Sequence, residues 1–169
     1  MNLTQAPLFS FDPNWSNDVV YEIEFATEII ESRSGREQRR SLRRLPNESL
    51  TFTLLDYEQN PTRVQDYLFN AYDNFIPVIN WTKGSEILSN TNSTLNLKET
   101  SKWFVTGRDV VVVSGVNKHK TTIASFSGTQ LVLSVAPPFT LLSTAMVYPV
   151  VIAEPISEVN LDNITAFMS

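Results

Sequence analysis

Three closely spaced apolar segments constrain this chain most: DVVVVSG (109–115), KTTIASFSGTQLVLSV (120–135) and AMVYPVVI (145–152). They read as strands, and Ser127-Gly128 interrupts the middle one as a tight hairpin turn. Proline cannot donate to a β-ladder, so Pro149 predicts that the last strand lies at an edge or carries a bulge. The piece from about Thr100 to Ala153 has the size of a small barrel or a short meander.

The first half of the chain gives weaker signals of the same kind. VVYEIEF (19–25) alternates, with Val19, Tyr21, Ile23 and Phe25 on one face and Glu22 and Glu24 on the other, as in a half-buried strand. ESLTFTLLDY (48–57) alternates through Leu50, Phe52 and Leu54 and is expected to pair antiparallel with something nearby. Asn60 and Pro61 suit an N-cap and first helical position. Val64, Tyr67, Leu68 and Ala71 then continue a short amphipathic helix to about Phe75. IPVINWTKG (76–84) reads as a short apolar strand or ledge. The polar stretch SEILSNTNSTLNLKETSKW is expected to hold edge strands with few packing obligations. Short strands with one helix predict a mainly β (α+β) chain. Residues 1–18 form an irregular arm in which Phe9, Phe11 and Trp15 need something to lie against.

Composition bounds the chemistry. The 169 residues are 42% hydrophobic and 18% charged, enough for a real core in a single domain or one with a small insertion. The absence of cysteine excludes disulfides and thiolate chemistry. The N-terminus lacks the basic and apolar regions of a secretory signal, and no stretch approaches the roughly 18 apolar residues of a membrane span. His119, the one histidine, sits between two lysines and is expected in a surface turn. No phosphate loop, zinc-protease or nucleophile-elbow motif is present. Asp18, Glu22, Glu24, Glu28 and Glu31 could bind a hard cation or serve acid–base chemistry, but charge is also what an exposed strand face carries. The expectation is no catalytic activity, no cofactor and no metal. Trp81 and Trp103 offer stacking faces for a sugar, although tryptophan beside a strand is more often core.

RSGREQRRSLRR (33–44) holds six of the eight arginines of a chain with formal net charge −5. As a helix, Arg36, Arg39, Arg40, Arg43 and Arg44 make a basic stripe with only Leu42 and Leu45 to anchor it. As an extended segment, Arg40 and Arg44 share a side with Leu42, and Arg39 and Arg43 take the other. Phosphate neutralisation would suit nucleic acid, yet the block carries no aromatics for base stacking, and the pI is near 4.9. Arginine forks suit carboxylates at protein interfaces. The block is therefore read foremost as a protein interface, with local pairing to the preceding acidic run, or nucleic acid, as alternatives. In the interface reading, Glu24, Glu28 and Glu31 of one copy meet Arg36, Arg39, Arg40, Arg43 and Arg44 of the next, while Phe9, Phe11 and Trp15 lie across a neighbour.

The order of these features resembles the tail proteins of long-tailed bacteriophages. In that family a strand leads to T-x-x-x-x-S-x-x-G-x-E-Q-R-x-x-L-R-x-x-P, matched here by Thr27, Ser32, Gly35, Glu37, Gln38, Arg39, Leu42, Arg43 and Pro46. A P-x-W segment is resembled by Pro77 to Trp81. Ile123, Ser125, Gly128, Thr129, Leu131 and Leu133 match a hairpin, and Val147, Tyr148 and Pro149 match a V-Y-P strand. The resemblance spans about residues 17–150. It implies a distal-tail or tail-tip structural protein of the virion, made in the host cytoplasm, with a β-sandwich core that assembles into a ring, a hexamer being one form. The implied partners are copies of itself, the tail tube, and hub or fibre proteins. The domain expectation is an arm and sandwich core over 1–99, a small β subdomain over 100–153, and a segment over 154–169 returning to the core sheet. A head–tail connector or tail-completion protein is the alternative structural role, and a nucleic-acid-binding protein using Arg33–Arg44 the alternative of another class.

Overall fold

The structure, a computed structural model, describes residues 7–31, 37–43, 46–54, 67 and 75–153. It is mostly β. In chain order the strands are β1 (Val20–Glu24), β2 (Thr27–Glu31), β3 (Glu37–Ser41), β4 (Asn47–Thr51), β5 (Ile76–Ile79), β6 (Ser85–Thr91), β7 (Thr94–Leu97), β8 (Asp109–Ser114), β9 (Asn117–Ser127), β10 (Gln130–Leu133) and β11 (Met146–Ala153). Of the helix expected over 60–75, only Tyr67, which is helical, and Phe75, which is not, fall among the described residues; the rest of it and the segment 154–169 lie outside them.

Strands β6 to β11 close into a six-stranded barrel in the order β11, β6, β7, β10, β9, β8, with β8 returning to β11. Every neighbouring pair is antiparallel. Closure leaves no unpaired edge in such a sheet. Ladder shifts between Ile87 and Ser89 in β6 and between Val132 and Leu133 in β10 fall where bulges help a sheet to turn. The small β unit therefore begins at Ser85, not near residue 100, because β6 and β7 pair with β11 and β10.

The barrel interior is filled by Ile87, Leu95, Leu97, Phe104, Val110, Val112, Ile123, Leu131, Leu133, Ala145 and Val147, with Phe126 and Leu141 packed against them. Alternation explains why β8 reads as an unbroken valine run. Val110 and Val112 point inward, while Val111 and Val113 point outward into a second cluster with Ile79, Trp81, Tyr148 and Val150. A strand covered on both faces reads as a near-continuous apolar run.

The stretch 85–97 departs from its sequence reading. It is integral to the barrel, and Ile87, Leu95 and Leu97 are core residues. Apart from exposed Leu88 its outward positions are polar, and only three apolar residues mark the inward face. Pro149 also departs from expectation. It is buried in β11, which has neighbours on both sides. On one side β11 pairs first with β6 through Met146 and Val147, then with β5 from Val150 onward. Pro149 falls at that handover, where its carbonyl accepts from the Asn80 amide at 2.9 Å. In an antiparallel ladder the N–H and C=O of one residue face the same neighbour, so the donor that proline lacks would have pointed into the break.

Two glycines are required by geometry. Gly128 has φ of 59° in the β9–β10 turn, where a side chain would be strained. Gly84 ends a short 3-10 turn, Trp81–Lys83, and lies so close to the Tyr148 ring that a Cβ there would collide with it.

The N-terminal arm lies against its own chain. Phe9 bridges to Val78, donates its amide to the Pro77 carbonyl at 2.8 Å, and is 6% exposed. It joins Ile76 and Val78 in a third cluster that also holds Phe11, Leu50, Phe52, Leu54 and Tyr67. Leu8 and Val19 cover the outward valines of the barrel wall. Lys118 fastens the arm: its ammonium donates to the Ser10 carbonyl and to Asp12 Oδ2 at 2.8 Å, and lies over the Trp81 ring.

Strands β1 to β4 form two antiparallel ladders in succession along one ribbon, β1 with β4 and β2 with β3. The near ladder pairs Val20 with Thr51 and Glu24 with Asn47; the far ladder pairs Thr27 with Ser41 and Glu31 with Glu37. Between them the Leu42 amide donates to the Ala26 carbonyl at 2.9 Å. The near ladder is seated on the body by Tyr21, which meets Trp103 edge-on, and by Leu50.

Candidate functional site

The far ladder, β2 with β3, is where the acidic run and part of the arginine block meet. Glu37 to Ser41 are extended, which resolves the choice between helix and strand over those residues. Directly opposed residues share a face, so Glu28 stands beside Arg40, and Ile29 beside Arg39. Arg39 Nη2 lies 3.4 Å from Glu37 Oε2 on the same strand. Both side chains are well exposed, and pairs of this kind contribute little to stability. Glu31 opposes Glu37, a like-charge pairing that disfavours the ladder end unless a cation lies nearby. Arg43 follows the strand, and its carbonyl accepts from Ser41 Oγ at 2.6 Å. Arg36 and Arg44 lie outside the described residues. Glu24 sits on the near ladder opposite Asn47 and away from the arginines.

Apolar residues on this ribbon are uncovered. Ile29 is 56% exposed, Ile30 46%, Leu42 58% and Phe25 71%. Because Ile29 and Ile30 are consecutive, they face opposite sides. The face Val19, Tyr21, Ile23 and Phe25 behaves as a half-buried strand only at its start: Val19 and Tyr21 pack, whereas Ile23 and Phe25 are exposed. The ribbon has left the body by Ile23. Among the described residues the two strands of the far ladder pair only with each other, so both outer edges are open.

The other interface residues expected from sequence divide differently. Phe9 is consumed by the internal core, and Phe11 packs beside it at 5.0 Å between ring centroids. Trp15 meets Trp81 edge-on yet stays 62% exposed. Of the three aromatics, Trp15 is the one with a large outward face.

The polar chemistry elsewhere is modest. His119 lies within β9, paired with Val112, and not in a turn; its Nε2 is 3.4 Å from the Val135 carbonyl and its ring meets Phe139 edge-on. The lysines beside it point to the other face, where Lys118 holds Asp12 and Lys120 holds Asp109 at 2.9 Å. Trp81 is 6% exposed and offers no stacking platform. Trp103 is half-buried beside Tyr21, with Lys83 over the Tyr21 ring. Burial, followed by the Glu48 carboxylate, pushes the Tyr21 phenol up to about 12. Burial alone pushes Tyr67 up to about 12, and burial followed by Asp12 raises Tyr148. Among the described residues no three of His, Asp and Glu gather at metal-binding distance.

The ribbon thus combines opposite charges on its two strands, uncovered apolar side chains on both faces, and open hydrogen-bonding edges. In comparison with known proteins, no family model and no curated protein matches the chain.

Proposed function

We propose that the chain is a structural subunit of a bacteriophage tail tip, a distal-tail ring or hub adaptor that joins the tail tube to tip or fibre components by protein–protein assembly. The observation that carries the reading is the far ladder, whose isoleucines and open edges find no cover among the described residues, in a sequence whose motifs follow the order of that family. Exposed apolar patches on an otherwise well-packed protein mark interaction sites. In this proposal the ribbon and the strands at its base contribute to a sandwich-type core, and the barrel is the small β module of the C-terminal half. The partners are copies of the chain together with tail tube and hub or fibre proteins, and the role involves no catalysis.

Nucleic acid is the weaker target for the arginines. Glu28, Glu31 and Glu37 lie on the same two strands as Arg39 and Arg40 and would repel phosphates.

Immunogold electron microscopy of particles carrying this chain tests the proposal. Label at the tail end is the expected result. Label at the head–tail junction would replace the ring subunit with a connector. Unlabelled particles, with an accessible control epitope labelled, would overturn a virion role.

A further inference from the structure

Resting on the ring-subunit reading, we propose that the far ladder is completed by a second copy of this chain, β3 of one subunit pairing edge to edge with β2 of the next. The first ground is hydrogen bonding. Among the described residues no strand pairs with the outer edges of β2 and β3, whose backbone donors and acceptors can template the addition of another strand.

The second ground is the sign of charge. β2 carries Glu28 and Glu31 and no cation; β3 carries Arg39 and Arg40 beside Glu37, with Arg43 just past its end. Two β2 edges repel, as do two β3 edges, whereas β2 against β3 is complementary. Exposed edges are commonly charged to prevent pairing. Opposite signs on two edges of one ribbon instead forbid the symmetric contacts and leave the head-to-tail one. A head-to-tail contact repeats from copy to copy and closes into a ring when its rotation permits. Because β2 and β3 are antiparallel, alternating β2, β3, β2 and β3 around a ring keeps every pair antiparallel.

The third ground is the apolar content. Ile29 and Ile30 lie on opposite faces of the ribbon and are both exposed. A strand added alongside brings a neighbour's side chains within cross-strand reach of both. A lateral strand covers residues on both faces together, which a partner docking on one face would not.

A charge exchange that preserves the fold provides the test. Glu28→Arg, Glu31→Arg, Arg39→Glu and Arg40→Glu made together keep opposite signs within the ribbon and invert what each edge presents. Wild-type and exchanged chains, one isotopically labelled, are dissociated, mixed in equal amounts, allowed to reassemble and weighed by native mass spectrometry. The proposal predicts that each chain forms oligomers with itself, with mixed species at least about tenfold below the statistical share. Statistical mixing would overturn the edge pairing and leave the ring reading standing. A wild-type chain monomeric at every concentration would overturn the ring reading and the pairing together. An exchanged chain that is folded but fails to self-assemble where wild type succeeds would also contradict the pairing. If the fourfold variant loses its barrel signature in near-ultraviolet circular dichroism, the milder Glu28→Arg with Arg40→Glu exchange carries the same comparison.

Discussion

The barrel and the ribbon are built from strands of similar length and satisfy opposite conditions. In the barrel, alternation sends Val110 and Val112 into one cluster and Val111 into another, so each valine finds its cover within the chain. In the far ladder the same period of two leaves Ile29 and Ile30 facing outward on both sides. The difference is closure. A sheet that returns on itself supplies every strand with two neighbours and a shared interior, while a two-stranded ribbon supplies one neighbour and no interior. Among the described residues nothing else pairs with the far ladder.

The largest expected effects separate the two regions by stability. Leu131→Ala empties a fully buried site at the barrel centre and is expected to cost about 2–5 kcal/mol in urea unfolding. Ile30→Ala should stay within about 0.5 kcal/mol for the unassembled chain. A comparable loss at both positions would erase the distinction. Next, Gly84→Ala drives a methyl group into the Tyr148 ring and should cost about 1–3 kcal/mol, measured the same way. Lys118→Met removes the ties to Ser10 and Asp12. It should cost about 1–2 kcal/mol and speed proteolytic cleavage within residues 7–18, while barrel fragments survive. Unchanged cleavage would mean that Phe9 and Leu8 hold the arm without the lysine.

The smallest effect is set by pH. Model phenols ionise at 10.0, and folding raises Tyr21 and Tyr67 to about 12. The folded chain therefore binds these protons more tightly than the unfolded one, and their contribution is intact below pH 10. It is lost as pH climbs from 10 toward 12. The midpoint of unfolding should be level in this respect up to about pH 10 and fall above it. Tyr21→Phe and Tyr67→Phe should each make that fall shallower. An ultraviolet titration of the folded chain with all phenols ionising near pH 10 would contradict the burial of Tyr67.

Legibility in the sequence followed how local each constraint was. The valine run of β8 and the Ser127-Gly128 turn could be read because a few adjacent residues determine them. That β4 would pair antiparallel was legible from its alternation, but its partner β1 was not, since two other strands lie between them in the chain. β6 and β7 were not, because their buried face exists only once β11 and β10 lie beside them, and their outward positions carry serine, asparagine and threonine. Pro149 misled because the rule against proline in a central strand assumes a continuous neighbour, whereas β11 changes neighbour at that residue. At the candidate site, the opposition of Glu28 and Arg40 was implicit in the nearness of the acidic run to the arginines. The seating of Phe9 under the chain's own β5 was invisible, since nothing within the arm reveals what it will cover.

Amide hydrogen exchange on the chain at low and at high concentration tests the division of labour most directly. The account predicts that β8, β9 and β11 are protected at both concentrations, while β2 and β3 exchange quickly when dilute and gain protection as oligomers form. Far-ladder amides as slow as those of the barrel in the dilute monomer would contradict it, because the ribbon would then be complete without a partner.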